Sequence, residues 1–190
     1  DASISGPTST AFSFVSVVNS QLVFGENSKL SFWYLPVGDI TKEVIELVEE
    51  SGFPGMRVFQ FGFLDDGNSI HMPHNYIKNS VAYSGTHDNN TIFGFLWESD
   101  EATRRRALDY CGFSGGDWGN ASPLFLRAIF ASVSDLAIIP VQDFLMYGSD
   151  TRINTPGVAK GNWSYRVTKE QVNNINKQEY REMNELFGRV

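Results

Sequence analysis

Ser80-Val81-Ala82-Tyr83, followed without a break by Ser84-Gly85-Thr86-His87-Asp88-Asn89, is the stretch on which the fold turns. A short run of strand character leads straight into a turn that crowds a hydroxyl, an imidazole, a carboxylate and an amide, and a helical stretch follows at Thr91 to Trp97. Strand, polar turn and helix in that order make one β/α unit. Upstream, Met56 to Phe61 reads as a buried strand. Before it comes a helix that Thr41 caps, with Val44, Leu47 and Val48 on one face and Ser51-Gly52 at its end. Downstream, helices at Glu101 to Cys111 and Ser122 to Ser132 flank the Gly115-Gly116 loop and lead to a third apolar strand, Leu136 to Pro140, closed by Gln142-Asp143. A final helix opens at Thr168, which stands at capping-box spacing from Gln171, and carries Val172, Ile175, Met183 and Leu186 at helical intervals. From Gly38 onward this alternation predicts an α/β protein whose three strands lie parallel and adjacent, with Asp88 and Gln142 at the same end.

Composition narrows the function classes. The chain has 190 residues, 42% of them hydrophobic and 19% charged, enough to close a core. Its 15 basic and 22 acidic side chains leave a net charge of −7, which argues against nucleic acid as a partner. No apolar run reaches membrane-spanning length, so no membrane partner is expected. The single cysteine, Cys111, excludes an internal disulfide framework and fits a reducing compartment. The chain opens on Asp1 with no basic leader region, so no targeting peptide is visible: either one was removed or the sequence is a fragment. Residues 1–36 differ in texture, with Asp1, Glu26 and Lys29 as their only charges and strand-like segments at Phe12 to Val18 and Lys29 to Tyr34 around Gly25-Glu26-Asn27. They are read as an unrelated or irregular Ser/Thr-rich segment, β-like in part, ahead of residues 37–190.

Polar residues collect just after the predicted strands, where β/α barrels build their sites. His71, His74, His87 and Asp88 supply metal-ligand chemistry, but His71 and His74 sit in a Pro-containing loop without the i, i+4 spacing that makes a helical pair specific, and no metal site is assigned. For Gly85 to Asn89 two readings stay open. Either Asp88 or Asn89 caps the next helix, or the turn holds a polyol, an acceptor-only carboxylate and a neighbouring imidazole taking adjacent sugar hydroxyls. The third place is Gln142-Asp143 with the long loop Arg152-Ile153-Asn154-Thr155-Pro156-Gly157 and Gly161-Asn162-Trp163-Ser164-Tyr165-Arg166, either a structural cover or a carbohydrate contact made of amides and aromatics.

Taken together, Gly52-Phe53-Pro54-Gly55-Met56-Arg57-Val58 with Gln60-Phe61, Pro73-His74-Asn75-Tyr76, Tyr83 to Asn89, Ala137-Ile138-Ile139-Pro140 with Gln142-Asp143, and Asn154-Thr155-Pro156-Gly157 ahead of Gly161-Asn162-Trp163 resemble the 4-alpha-glucanotransferases, the amylomaltases of glycoside hydrolase family 77. The resemblance implies the last units of a (β/α) TIM-type barrel and a retaining transfer of α-1,4-glucan segments between maltodextrin chains. No cofactor is implied, and the localisation expected is cytoplasmic, or plastid if the source is a plant. Asp88 then matches the carboxylate that stabilises the transition state, His87 the histidine contacting the same sugar, and Asn154 a substrate-binding asparagine.

The departure from the family pattern lies in the chemistry. Aligned on Gly38, the family's general acid/base glutamate is replaced by Leu35, and the nucleophilic aspartate would fall before the matching region. A leucine has no proton to give. The chain alone is therefore expected to be inactive, and the alternative to an enzyme is a fragment that keeps weak glucan binding.

Overall fold

The computed structural model describes residue 46, residues 50–64 and residues 68–189. The strand-like segments at Phe12 to Val18 and Lys29 to Tyr34, Leu35 and the start of the helix at Thr41 lie outside them. The chain divides into two compact units, Asp1–Met56 and Arg57–Val190. In the first, Glu46, Glu50 and Ser51 are helical. Gly52 follows at φ 69°, the left-handed conformation that commonly ends a helix, and Ser51 Oγ accepts the Phe53 N–H at 3.2 Å.

The strands are β1 (Gly55–Val58), β2 (Ser80–Tyr83) and β3 (Leu136–Ile138), in the sheet order β1-β2-β3. β2 and β3 pair in parallel, as expected, with Val81 opposite Leu136 and Tyr83 opposite Ile138. Asp88 and Gln142 thus both follow the carboxyl ends of parallel neighbours. β1 stops three residues short of the Phe61 expected for it. The Val58 N–H donates to His71 Nδ1 at 3.1 Å instead of to a strand, and Phe59–Phe63 coils into a 3-10 turn that buries Phe59 and Phe63. That turn needs a glycine at position 62, where a Cβ would lie 2.8 Å from the His71 carbonyl. β3 ends at Ile138, ahead of Pro140, which has no N–H for a ladder and stands as N-cap of a short helix.

Between β2 and β3 run α1 (Ile92–Glu98), α2 (Glu101–Tyr110) and α3 (Ser122–Phe130). The cap of α1 is Thr91, whose side chain accepts from the Gly94 N–H. Asp88 and Asn89, offered as caps by the sequence, are used elsewhere. Asp100 caps α2 in the same way through Thr103. After β3 come α4 (Val141–Phe144), α5 (Lys169–Asn173) and α6 (Lys177–Leu186). The capping box of Thr168 and Gln171 is formed, but the final helix is two helices, because the Asn176 side chain accepts the Glu179 N–H and caps a second helix that starts at Lys177. The break rotates the register. Tyr180, Met183 and Phe187 face the core and Leu186 stays exposed, contrary to the single apolar stripe expected.

The core gathers Phe59, Phe63, Leu96, Phe125, Leu126 and Ile129, all at most 1% exposed. Phe59 meets Phe63 and Phe125 edge to face at centroid distances of 4.9 and 5.5 Å. One side chain gathers the end of α3 and the turn after it: the Arg189 guanidinium donates to the carbonyl of Phe130, the last residue of α3, and to those of Ser132 and Ser134 beyond it.

Candidate functional site

Two loops meet beyond the carboxyl ends of β2 and β3. The first is the turn after β2. Asn89 folds back so that its Oδ1 accepts from both the backbone N–H and the hydroxyl of Thr86, at 2.9 and 2.8 Å, and Thr86 Oγ1 in turn accepts the Asp88 N–H at 3.2 Å. Gly85 must be a glycine, because a Cβ there would lie 2.6 Å from Gln60 Nε2, which is bonded to the Asn90 carbonyl. With its neighbours consumed in holding the turn, the Asp88 carboxylate is left to face outward.

The second loop brings its partners. Asn154 donates its side-chain N–H to Asp88 Oδ1 at 2.5 Å and its backbone N–H to the His87 carbonyl at 3.1 Å. Arg152 donates to the Asp88 carbonyl at 2.6 Å and, through Nε, to the Asn154 carbonyl. Asn162 shapes the loop behind Asn154: its Oδ1 accepts the Thr155 N–H and its amide donates to the carbonyls of Thr155 and Val158. Trp163 sits at φ 60°, a left-handed conformation that costs a non-glycine residue energy, while its N–H donates to the Ile153 carbonyl at 2.7 Å. That conformation lays the indole beside the His87 imidazole at 5.1 Å between ring centroids and leaves Trp163 58% exposed.

The structure therefore gathers His87, Asp88 and Asn154 in one place. His87 Nε2 is 3.3 Å from Asp88 Oδ2, and the two side chains are 40% and 27% exposed. A half-open carboxylate, an imidazole, a fixed amide and an exposed indole can hold a neutral polyol by hydrogen bonds at its edge and apolar contact at its face. Sequence reasoning placed Arg152 in the candidate loop without a role and missed the bond partners of Asp143. Arg152 lies two residues ahead of Asn154, but its target is 64 residues away in the chain. Among the described residues no group of three His, Cys, Asp or Glu side chains is placed to hold a metal ion. His71 is buried with Nδ1 engaged by Val58, and His74 is exposed, 3.1 Å from the Tyr110 hydroxyl. A groove of about 430 Å³ along α2 shares no residue with this site, and the Arg104 guanidinium covers the Trp118 face there at 4.4 Å.

Two buried groups near the sheet titrate abnormally in opposite directions. Burial pushes the Asp143 carboxyl up to about 6, against the pull of its bonds from Ser84 and Ile92. Burial, helped by the neighbouring Arg57 charge, pulls His71 down to about 4. Asp143 holds its proton more tightly folded than unfolded, so its contribution to stability is complete below the ordinary value of 3.8 and is lost as pH rises through about 6. His71 holds its proton less tightly folded, so its contribution is complete above 6.5 and is lost as pH falls through about 4. The two offset each other across this window, and single substitutions should uncover them. Between pH 4 and pH 6.5, Asp143→Asn should gain about 2 kcal/mol relative to the parent chain, and His71→Asn should lose about 2 kcal/mol. Urea denaturation at both pH values checks this. Differences of the same sign in the two variants would contradict it.

Comparison with known proteins points one way. A family model described as 4-alpha-glucanotransferase matches residues 27–172. The chloroplastic/amyloplastic 4-alpha-glucanotransferase of Arabidopsis thaliana is 40% identical over 157 residues, which are 81% of this chain and 27% of that protein. The 4-alpha-glucanotransferase of Thermus thermophilus is 38% identical over 77% of this chain and 30% of its own length. Among solved structures, amylomaltase from Streptococcus agalactiae in complex with acarbose superposes with a TM-score of 0.74 at 33% identity, over 84% of this chain and 31% of that one. The chain thus spans under a third of the length of these relatives.

Proposed function

The chain belongs to the 4-alpha-glucanotransferase family, and on that premise we propose that residues 37–190 are the last β/α units of the family's TIM-type barrel, carrying part of its glucan-binding cleft. The boundary proposed at residue 36 lies inside the span that the family model matches. The ligands are α-1,4-glucans and maltodextrins, and the reaction to which this cleft belongs is the retaining transfer of a glucan segment from one chain to another. The proposed location is the cytoplasm, or the plastid in a plant.

In this reading Asp88 takes hydroxyls of the sugar at the cleavage point. Its negative charge is set where an oxocarbenium-like transition state gathers positive charge, and its bonds to the ring strengthen as that charge grows. His87 and Asn154 bind the same sugar, and the Trp163 indole offers its apolar face to the next part of the glucan. The observation that carries the proposal is the Asp88 carboxylate, bonded by Asn154, 3.3 Å from His87 and still open to solvent beside an exposed tryptophan. Equilibrium titration with maltotriose tests it. Asp88→Ala removes a charged acceptor, a loss of roughly tenfold to a hundredfold in affinity. Equal affinity in Asp88→Ala and the parent chain would refute the assignment.

A further inference from the structure

The two site loops touch each other, but neither is anchored by that touch alone. Behind them, α4 presents two consecutive buried side chains, Gln142 at 3% and Asp143 at 1% exposure. Asp143 accepts the Ser84 hydroxyl on Oδ2 at 2.5 Å and the Ile92 N–H on Oδ1 at 2.7 Å. Ser84 immediately precedes the turn that carries His87 and Asp88, and Ile92 begins the helix that leaves it. One carboxylate therefore fastens both ends of the first loop. Gln142 reaches the other loop, donating from Nε2 to the Thr151 carbonyl at 3.0 Å, directly ahead of Arg152 and Asn154.

We propose that Gln142 and Asp143 are a positioning pair for the glucan site: adjacent on one short helix, each pins one of the two loops, and together they set the distance between Asp88 and Asn154. Neither touches the sugar in this arrangement. The functional weight of that distance rests on the glucan-site reading given above, but the pinning does not. Sub-ångström placement of a charged group opposite a reacting centre decides how much of its charge is used, and residues that carry such groups on loops need rigid support from behind. α4 supplies it because β3 delivers it to the same end of the sheet as β2.

The chemistry also predicts which substitutions are tolerated. In Asp143→Asn the carboxamide oxygen still accepts from the Ile92 N–H, and its amide can donate to Ser84 Oγ, since a hydroxyl accepts as well as it donates. Asp143→Leu loses both bonds, Ser84→Ala loses one, and Gln142→Met frees the Thr151 carbonyl.

Native-state amide hydrogen exchange on the 190-residue chain reads the pinning without any glucan. The reporters are the Asn89 N–H, bonded to the Thr86 carbonyl, and the Asn154 N–H, bonded to the His87 carbonyl. In Asp143→Leu and Ser84→Ala both should exchange faster, by roughly tenfold for a lost buried bond, with Leu126 and Ile129 in α3 unchanged. Gln142→Met should speed Asn154 and spare Asn89, and Asp143→Asn should restore rates near those of the parent. If Asp143→Leu does not fold, Ser84→Ala decides alone. Unchanged Asn154 exchange in Ser84→Ala, acceleration shared equally with Leu126 and Ile129, or an Asp143→Asn variant as loose as Ser84→Ala would each overturn the proposal. A parent chain that binds no maltotriose would sink the glucan-site reading and leave these rates as predicted.

Discussion

Incubated with maltotriose, the 190-residue chain is expected to release no glucose and to build no longer maltodextrins. A retaining transfer needs one group to attack the anomeric carbon and another, about 5–5.5 Å away, to protonate the departing oxygen. Asp88 can stabilise charge but cannot do both, and the resemblance drawn from the sequence puts Leu35 in the place of the family's acid. Asp143, which also follows the carboxyl end of a strand, is no substitute: it is 1% exposed, with both oxygens engaged by Ser84 and Ile92. Chromatography of the reaction mixture checks the expectation. Disproportionation that disappears in Asp88→Asn would overturn it and show that another residue of this chain supplies the acid.

The largest effect on stability should come from Phe125→Ala. Phe125 lies on α3 with no exposed surface and meets Phe59, the residue at which β1 turns into the core, edge to face. Removing the ring loses its transfer free energy and leaves a cavity that its rigid aromatic neighbours cannot close, a cost of about 3–5 kcal/mol. Against a typical net stability of about 5–15 kcal/mol, that is a large part of what keeps a domain folded. Leu136→Ala is the control: Leu136 is 51% exposed on β3 and should cost under about 1 kcal/mol. Equal urea midpoints for the two variants would mean that α3 does not form the centre of the core.

What the sequence disclosed and what it hid divide along physical lines. Ser80–Tyr83 was legible to its ends because a short apolar run and the turn residues that close it are local signals, and the order of strands and helices followed from the same signals. The end of β1 was not, because it depends on a hydrogen bond from Val58 to His71, thirteen residues on. α4 is too short to show a helical period, and the split of the last helix turns on which of several Asn side chains captures a backbone N–H. For the site, the chemical character of His87 and Asp88 at a strand end was readable, and the family motif drew attention to Asn154. Their contact was not, nor was the reach of Asp143 to Ser84, since pairs separated by 66 and 59 residues meet only once the sheet has formed.

The claim that His87, Asp88 and Asn154 make one glucan site is tested most directly by following the maltotriose titration residue by residue through backbone amide NMR. Shifts should concentrate in Thr86 to Asn89 and in Arg152 to Trp163, saturate together, and vanish in Asp88→Ala. Shifts centred instead on Trp97 and Trp118, or a pattern that persists unchanged in Asp88→Ala, would contradict it.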